Sequence, residues 1–424
     1  MRVLLVTHGT RGDVQPFVAL ATGLLAAGHE PVLAAPAAFG PFVEQHGVRF
    51  AALDDGPNRM LDDPGRLEPV LAGKGGNGRR IAAMLSVLRE AKPAMARVLT
   101  DMAAAADGGA DLVVHQANSP AHHVAEYLGV PAVPVGLQPV WVPTRAFPNL
   151  MLPMRVPAVC NRMSYRLNAL ALRSFAGAID RWRRDTLGLS RRRYRHDSLR
   201  RPDGTQATLL QAFSRHIVPP PADYPSWVHT TGFWFLDSGE DPVPSPELSH
   251  FLATGKPPVF IGFGSMPNTD PAQVGRLVSE AVRRAGVRAV LASGGGGLRL
   301  EEQVDDVFVV DQVPHDWLFP RVAAVVHAGG AGTTGAAVAA GRPQVGCFFH
   351  VEQRFWAQRL HAMGLAPEPI PVRDLAADTL SEAIRRAATD VARSRRAEDV
   401  AQQIRAEHGV ARAVELLESE AAGT

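Results

Sequence analysis

Residues 323–334 read AAVVHAGGAGTT, and this stretch decides the fold class of the chain. The apolar run Ala323–Val326 is typical of a buried strand, and the alanine-rich run after Thr334 predicts a helix. The glycines between them predict a tight turn, because glycine adopts backbone conformations that other residues avoid. A strand, a glycine-rich turn and a helix N-terminus in that order build an anion site, since the free amides and the helix dipole favour a phosphate.

Polar side chains are expected at the same edge of the sheet. His327 leaves the carboxyl end of its strand, where ligands bind in open α/β sheets. Pro343–Phe348 contains the next predicted strand, so Glu352 and Gln353, which follow it, should lie at that edge too. A phosphate cradle beside a carboxylate and a carboxamide suits a nucleotide that carries a polyol.

Predicted strands and helices alternate along the chain. In the first part, apolar runs predict strands at Val3–Val6, Pro31–Ala35, Val48–Leu53, Asp111–His115 and Pro131–Val135. A second alternation predicts strands at Pro258–Gly262, Ala289–Ala292, Val307–Val310, Ala323–Val326 and Gln344–Cys347. We therefore predict an α/β fold of two facing Rossmann-like domains, each with a parallel, doubly wound sheet, and a cleft between them.

Composition excludes several classes of protein. The 424 residues suffice for two α/β domains, and a net charge of +2 gives no case for nucleic-acid binding. Cys160 and Cys347 are the two cysteines, so we expect no disulfide framework and a cytoplasmic location. No apolar run is long enough for a membrane-spanning helix, and the first apolar run is too short for a signal peptide.

These motifs resemble a known family. Residues 313–356 are similar to the nucleotide-sugar signature of family 1 glycosyltransferases, which have the GT-B fold, and most of all to the bacterial branch acting on natural products and sterols. The residues that carry the resemblance are Pro314, His315, His327–Thr334, Glu352 and Gln353. Two positions depart from the family pattern: Ala328 stands where a second His is frequent, and Glu352 stands where Asp is usual.

The loop after the first strand carries a candidate general base. Residues 8–16, HGTRGDVQP, lie at the ligand-facing end of the predicted sheet, where the carboxylate of Asp13 is placed to take a proton from an acceptor hydroxyl. This string also resembles the N-terminal signature of sterol and glycopeptide glycosyltransferases, whose aligned Asp is the proposed base. Two alternatives remain open: Asp13 caps the helix that Pro16 helps to start, or His8 is the base.

The resemblance implies a domain order. An N-terminal acceptor-binding domain is expected at residues 1–218, and a proline-rich linker at 219–246. A C-terminal nucleotide-sugar domain is expected at 247–392, followed by closing helices at 393–424, the last of which is expected to pack back on the first domain.

The resemblance also implies how a donor is held. The diphosphate-binding residues are expected to be Ser265, His327, Gly329, Gly330, Gly332, Thr333 and Thr334. The nucleobase is assigned to Gln312, Val313 and His315, and the sugar to Glu352 and Gln353. The alternatives are a histidine whose ring is satisfied by the backbone at a strand end, threonines that only cap a helix, and a serine in an ordinary turn.

Two further sets of residues were weighed against structural roles. Apolar and amide side chains after the fifth strand are assigned to an acceptor pocket, although part of them suits a core equally: Gln138, Trp141, Phe147 and Met151. The basic run Arg181–Arg201 is compatible with weak docking on a membrane or a carrier protein, or with a solvated helix face.

Histidines His115, His122 and His123 are not expected to bind a metal. Neighbouring residues on a helix diverge by about 100°, and no Cys or carboxylate completes a ligand set.

The sequence thus predicts an inverting glycosyltransferase that uses a UDP- or TDP-sugar and a hydrophobic small-molecule acceptor, with no metal and no other cofactor. The acceptor classes are a natural product, such as a macrolide, polyene or glycopeptide aglycone, and a sterol-like lipid. Two rival functions are a nucleotide-sugar epimerase of the same fold and a non-catalytic helper that keeps the nucleotide site. Oligomeric state is not predicted.

Overall fold

The computed structural model describes residues 1–56, 92–152, 156–237, 245–264, 270–294, 298–300, 306–349 and 351–423. The chain divides into two compact units. Unit 1 comprises Met1–Phe213, Pro220–Leu236 and His408–Thr424. Unit 2 comprises Ser214–Pro219 and Asp237–Glu407.

Unit 1 contains a parallel sheet of seven strands within the described residues. The strands are β1 (Arg2–Val6), β2 (Glu30–Pro36), β3 (Arg49–Leu53), β4 (Leu112–Gln116), β5 (Ala132–Gly136), β6 (Leu209–Gln211) and β7 (Val228–Thr230). Their order is β3-β2-β1-β4-β5-β6-β7. Because β1 pairs with β2 on one side and β4 on the other, the strand order reverses there, and a ligand crevice is expected at the carboxyl ends of β1 and β4.

Unit 2 contains a second parallel sheet, with six strands in the described ranges. They are β8 (Val259–Gly262), β9 (Ala289–Ala292), β10 (Val307–Val310), β11 (Ala324–His327), β12 (Gln344–Phe348) and β13 (Ile370–Pro371). The order is β10-β9-β8-β11-β12-β13, so the corresponding reversal lies between β8 and β11.

Helices cover both sheets. In chain order they are α1 (Arg11–Ala26), α2 (Gly40–Glu44), α3 (92–105), α4 (His122–Leu128), α5 (Asn161–Ser164), α6 (Arg166–Arg173), α7 (Ala176–Asp185), α8 (Pro246–Ala253), α9 (Pro271–Ala285), α10 (His315–Leu318), α11 (Ala331–Ala339), α12 (Val351–Ala362), α13 (Ala377–Thr389), α14 (Val391–Arg405) and α15 (Gly409–Ala422). Among these described helices, none is both long and apolar enough to cross a bilayer.

The C-terminal helix α15 belongs to the core of unit 1. Its buried Ala413, Val414 and Leu417 share a hydrophobic cluster with the apolar face of α1. At Gly23 of α1 a Cβ atom would lie 2.3 Å from Cγ1 of Val410, so glycine lets the two helices approach closely.

Within the segment that the sequence assigned to a linker, 219–246, Pro220–Leu236 belong to unit 1. Strand β7 pairs in parallel with β6, and both strands are only three residues long. Trp234 is buried edge-on against Phe17 of α1, with ring centroids 6.1 Å apart, and its indole N–H donates to Thr231 Oγ1 at 3.0 Å. This packing fixes the segment to the first sheet.

The predicted α/β class of two doubly wound parallel sheets is confirmed. The central strands are buried on both faces, which is why they appear in the sequence as short continuous apolar runs.

Candidate functional site

Asp13 lies at the point where the order of the first sheet reverses. Helix α1 begins at Arg11, earlier than the predicted start at Pro16, so Asp13 is in the first helical turn and not in the loop before it. Its Oδ2 accepts the backbone N–H of Thr10 at 2.9 Å, which satisfies an amide that the helix itself leaves unpaired. Oδ2 of Asp13 thus caps the N-terminus of α1, as one of the alternatives for Asp13 stated.

The other carboxylate oxygen of Asp13 faces Gln116, at the carboxyl end of β4. Gln116 Nε2 donates to Asp13 Oδ1 at 2.9 Å. The amide oxygen of Gln116 accepts from Thr7 Oγ1 at 3.1 Å and from the backbone N–H of His8 at 3.2 Å. These two donors fix the amide so that its NH2 group points at the carboxylate. Gln116 was not predicted from the sequence, although a polar residue at the end of an apolar strand was the available signal.

Gly9 is required beside this carboxylate for two reasons. Its φ of +115° lies in a region that favours glycine, and a Cβ atom there would lie 2.3 Å from Asp13 Oδ2.

Burial shapes the titration of both candidate bases. Burial raises the pKa of Asp13, while the hydrogen bonds from Thr10 and Gln116 oppose the rise. A raised pKa makes the ionised carboxylate a stronger base. Burial lowers the pKa of His8 to about 4, so this ring is neutral at pH 7. Its Nε2 is buried and has no hydrogen-bond partner among the described residues.

His327 ends β11 in unit 2 and is almost fully buried. Its Nδ1 accepts the backbone N–H of Gly329 at 3.0 Å, so the proton is on Nε2, which donates to Gln344 Oε1 at 2.7 Å. Burial lowers the pKa of the ring to about 4, which keeps it neutral. Both ring nitrogens thus form hydrogen bonds within the fold. This agrees with the alternative of a strand-end histidine that is hydrogen-bonded internally, except that one partner is the Gln344 side chain and not the backbone.

The glycine turn after His327 leaves room at a helix N-terminus. Gly329 has φ of +90°, and a Cβ atom there would lie 2.8 Å from the carbonyl oxygen of Gln353. Gly330 and Gly332, in contrast, have nothing within 4 Å of a Cβ position. Helix α11 starts at Ala331, so the amides that precede Thr334 have no carbonyl of their own helix to bind. Amides, dipole and open space therefore form a candidate anion site.

The two threonines of the turn differ. Thr334 N–H donates to the carbonyl of Gly330 at 2.9 Å, and its buried Oγ1 has no hydrogen-bond partner in the described part of the chain. Thr333 is half-buried at the open end of the helix. Of the pair, Thr333 is the better placed to meet a ligand.

Glu352 and Gln353 lie in the first turn of α12, at the carboxyl end of β12. Both are half-buried. Gln353 Oε1 accepts the backbone N–H of Phe349 at 2.8 Å, so this side chain contributes to the helix N-terminus. The close approach of Gln353 to Gly329 brings this turn and the glycine turn together.

The segment predicted to bind a nucleobase follows β10. Gln312 is exposed and Val313 is half-buried. His315 begins α10 and stacks on Phe319, with ring centroids 4.3 Å apart and an interplanar angle of 14°. The stacking fixes the orientation of the His315 ring.

Ser265 lies outside the described residues. Gly264, just before it, follows β8 and has φ of +67°. A Cβ atom on Gly294 would lie 3.5 Å from the Cα of Gly264, so the turns after β8 and β9 touch.

The predicted acceptor residues follow β5 in unit 1. Gln138, Trp141 and Phe147 are half-buried, whereas Met151 is 59% exposed. Cδ1 of Trp141 would lie 3.1 Å from a Cβ atom on Gly136, so the indole packs on the end of β5.

The histidines near β4 are more tightly grouped than expected. His115, His122 and His123 are all buried, and the ring centroids of His122 and His123 are 4.0 Å apart. The expected divergence of these two side chains is wrong, because they are the first two residues of α4 and both rings turn into the interior. Across the described residues, no three His, Cys, Asp or Glu side chains are arranged so that they could hold a metal ion together.

Most arginines of the basic run Arg181–Arg201 form ion pairs within unit 1. Arg183 and Arg192 pair with Glu126, and Arg191 and Arg195 pair with Asp180. Arg183 is 2% exposed. These charges stabilise the packing of α7 on α4, so this run offers little free charge for the docking weighed from the sequence.

Two family models match the chain. The Glycosyltransferase family 28 N-terminal domain matches residues 3–135, and the Erythromycin biosynthesis protein CIII-like, C-terminal domain matches residues 291–418. Among curated proteins, the Sterol 3-beta-glucosyltransferase of Penicillium rubens is 34% identical over 98% of this chain and 30% of its own length. That of Aspergillus fumigatus is 33% identical with the same coverage. The chain thus spans about 30% of the length of these relatives.

Solved structures share the fold. The glycosyltransferase VinC in complex with DTDP has a TM-score of 0.69 at 20% identity, with 100% of both chains covered. The glycotransferase of kitacinnamycin has a TM-score of 0.69 at 18% identity, with 99% of this chain and 98% of that chain covered.

Proposed function

We propose that this chain, which has the GT-B fold and matches the Glycosyltransferase family 28 N-terminal domain over residues 3–135, is an inverting hexosyltransferase. It moves a hexose from a UDP- or TDP-sugar to a hydroxyl of a hydrophobic small molecule, either a natural-product aglycone or a sterol-like lipid. The names of the sterol 3-beta-glucosyltransferase relatives support a lipophilic acceptor, and DTDP in VinC supports a nucleoside diphosphate donor.

The observation that carries this proposal is the open N-terminus of α11. Its first amides face the space beside Gly330 and Gly332, at the point where the second sheet reverses its order. Negative charge grows on the leaving diphosphate as the glycosidic bond breaks. Fixed amides and the helix dipole stabilise that charge without reorganisation, so the proposed reaction requires no metal.

In this proposal His327 first of all holds the turn in shape. Its ring anchors Gly329 and Gln344, and these bonds orient the amides that receive the phosphate. A direct contact between the His327 ring and the diphosphate remains a prediction, and it requires one of these two bonds to open when donor binds.

Asp13 is the proposed general base. It accepts the proton of the acceptor hydroxyl while the acceptor oxygen attacks the anomeric carbon from the face opposite the diphosphate, which inverts that centre. Oδ1 accepts the bond from Gln116 and keeps a second lone pair for this contact. Oδ2 already accepts both the backbone N–H and the hydroxyl of Thr10. The raised pKa of Asp13 supports the role, because it matches the base more closely to neutral pH.

The remaining assignments follow the family resemblance. Glu352 and Gln353 are proposed to hold sugar hydroxyls, and Ser265 to contact the diphosphate. The nucleobase is proposed to rest on the segment Gln312–His315, whose histidine ring is already fixed by stacking. The acceptor is proposed to contact Gln138, Trp141, Phe147 and Met151.

The test is a thermal-shift screen with UDP and TDP, followed by mass spectrometry of products from a panel of sterols and macrolide, polyene and glycopeptide aglycones. We expect one nucleotide to raise the melting temperature and one acceptor to gain a hexose mass. Nucleotide release only in the presence of acceptor would distinguish transfer from epimerisation. Nucleotide binding without product from any acceptor would instead favour a helper protein.

A further inference from the structure

A row of apolar side chains lies exposed on the outside of unit 1. Val159 is 89% exposed, Met163 is 57% exposed and Leu167 is 39% exposed. Met163 of α5 and Leu167 of α6 are four residues apart, which is the spacing of neighbours on one α-helical face. Val159 lies in the 3-10 turn just before α5. We call these three residues the apolar stripe.

Polar side chains of the same segment bind the loop that follows β5. Asn161 Nδ2 donates to the carbonyl of Arg145 at 2.8 Å, and Ser164 Oγ accepts the backbone N–H of Asn149 at 2.7 Å. Asn168 Oδ1 accepts from Asn149 Nδ2 at 2.8 Å. A surface helix normally buries its apolar side chains, as this segment does with Tyr165, yet these three large apolar side chains are exposed. Exposed apolar surface of this kind marks an interaction site.

The charge around the apolar stripe is positive. Exposed arginines lie on the same segment and on the loop that it holds: Arg145, Arg162, Arg166 and Arg173. In the described part of the chain none of the four forms an ion pair, whereas most arginines of the run Arg181–Arg201 do. Residues 127–179 contain no Asp and no Glu. Arg162 helps to lower the pKa of Asp223. The Asp223 carboxylate already accepts hydrogen bonds from the Thr144 hydroxyl and the backbone N–H of Arg145.

We propose that this face docks the protein on the surface of an anionic lipid bilayer. Met163 and Leu167 enter the boundary between headgroups and acyl chains, while the arginine stems lie along the surface and their guanidinium groups bind lipid phosphates. A bilayer fits better than a protein partner because arginines without fixed partners match mobile anions. The apolar stripe and its arginines together supply the two contributions, apolar area and charge, that peripheral binding requires.

The test is flotation of the purified protein with vesicles, without donor or acceptor. Vesicles of phosphatidylcholine alone are compared with vesicles that also contain anionic phosphatidylglycerol, and the difference in binding measures the contribution of charge. Two test variants are Met163→Gln/Leu167→Gln and Arg162→Gln/Arg166→Gln. The matched control is Val391→Gln/Arg395→Gln, because Val391 on α14 is 63% exposed and Arg395 four residues later is exposed as well.

The wild type and the control are expected to float with phosphatidylglycerol vesicles, and about 0.5 M salt is expected to weaken that binding. Each test variant is expected to bind at least about fivefold more weakly. Equal binding to neutral vesicles, no binding by the wild type, or unchanged binding by both test variants would overturn the proposal.

A second readout separates docking from acceptor contact. Transfer to a water-soluble acceptor is expected to be the same in the test variants and the wild type. Variants that bind vesicles normally but lose this transfer would assign the apolar stripe to the acceptor site and overturn docking. Since flotation uses no substrate, failure of the proposed sugar transfer leaves this result unaffected.

Discussion

The side-chain amide of Gln116 donates to the carboxylate of Asp13 at 2.9 Å, which joins two residues 103 positions apart in the chain. The bond crosses the crevice between β1 and β4, where the first sheet reverses its order. It aims the carboxylate and at the same time opposes the rise in its pKa. Gln116 is therefore a positioning residue for the proposed base.

Asp13→Asn should abolish most turnover while the protein still folds. The amide keeps a helix-capping oxygen but no longer accepts a proton, so we expect kcat to fall by about a hundredfold or more with unchanged nucleotide affinity. The matched control is Asp390→Asn, which alters the capping carboxylate of α14 and should leave kcat unchanged. Wild-type turnover in Asp13→Asn would remove Asp13 from the mechanism.

Gln116→Leu should shift the pH dependence of the reaction. The hydrogen bond from Gln116 lowers the pKa of Asp13, so its loss raises that pKa further, and the acidic limb of the kcat/KM profile should move to higher pH. We also expect kcat to fall by about tenfold, because the carboxylate is less well oriented. An acidic limb that stays in place would contradict the positioning role.

Gly332→Glu should weaken nucleotide binding. A carboxylate in the first turn of α11 competes with the phosphate for the same amides, and helix stability should not suffer because acidic residues are favourable there. Gly177→Glu is the matched control, since Gly177 is also the second residue of a helix and has equally open surroundings. Calorimetry with UDP or TDP should show at least about tenfold weaker binding for Gly332→Glu alone.

His327→Ala should weaken donor binding and slow the reaction by at least about tenfold. The substitution removes the anchors of Gly329 and Gln344 and leaves a cavity, so the free energy of unfolding should also fall by roughly 2–4 kcal/mol.

Gln344→Leu is the companion of that variant, because it removes only the partner of Nε2. If the ring acts by shaping the turn, Gln344→Leu should weaken nucleoside diphosphate binding as well. Unaltered nucleotide affinity in both variants, measured by calorimetry, would argue against any role of His327 at the donor site.

Acid should destabilise the protein through its buried histidines. Burial lowers the pKa of His115 to about 4, of His122 to about 3 and of His327 to about 4. Each stays neutral in the folded chain, whereas the unfolded chain takes up a proton below about pH 6.5. Stability is therefore fully present above pH 6.5 and is lost as pH falls toward 4. Each histidine should contribute roughly 1 kcal/mol per pH unit in that window.

Urea unfolding at pH 7 and pH 5 measures this loss. The midpoint should be lower at pH 5, and His122→Phe should reduce the difference because it removes one of the protonation sites. Equal midpoints at the two pH values in the wild type would contradict the prediction.

The sequence by itself determined the two parallel sheets and the place of the glycine turn. Strands at Ala289–Ala292 and Val307–Val310 have the predicted bounds. The first is buried, as its continuous apolar run predicts, whereas the second is an edge strand that is only partly buried. The short strands β6, β7 and β13 were missed, since two or three residues carry no readable pattern.

Only the tertiary structure decided which polar groups meet. The hydrogen bond between Gln116 and Asp13 depends on the pairing of β1 with β4. The hydrogen bond between His327 and Gln344 depends on the pairing of β11 with β12. In the same way, only the fold shows that Val159, Met163 and Leu167 are exposed. Local patterns encode periodicity and conformation, whereas the partner of a side chain is set by contacts between segments far apart in the chain.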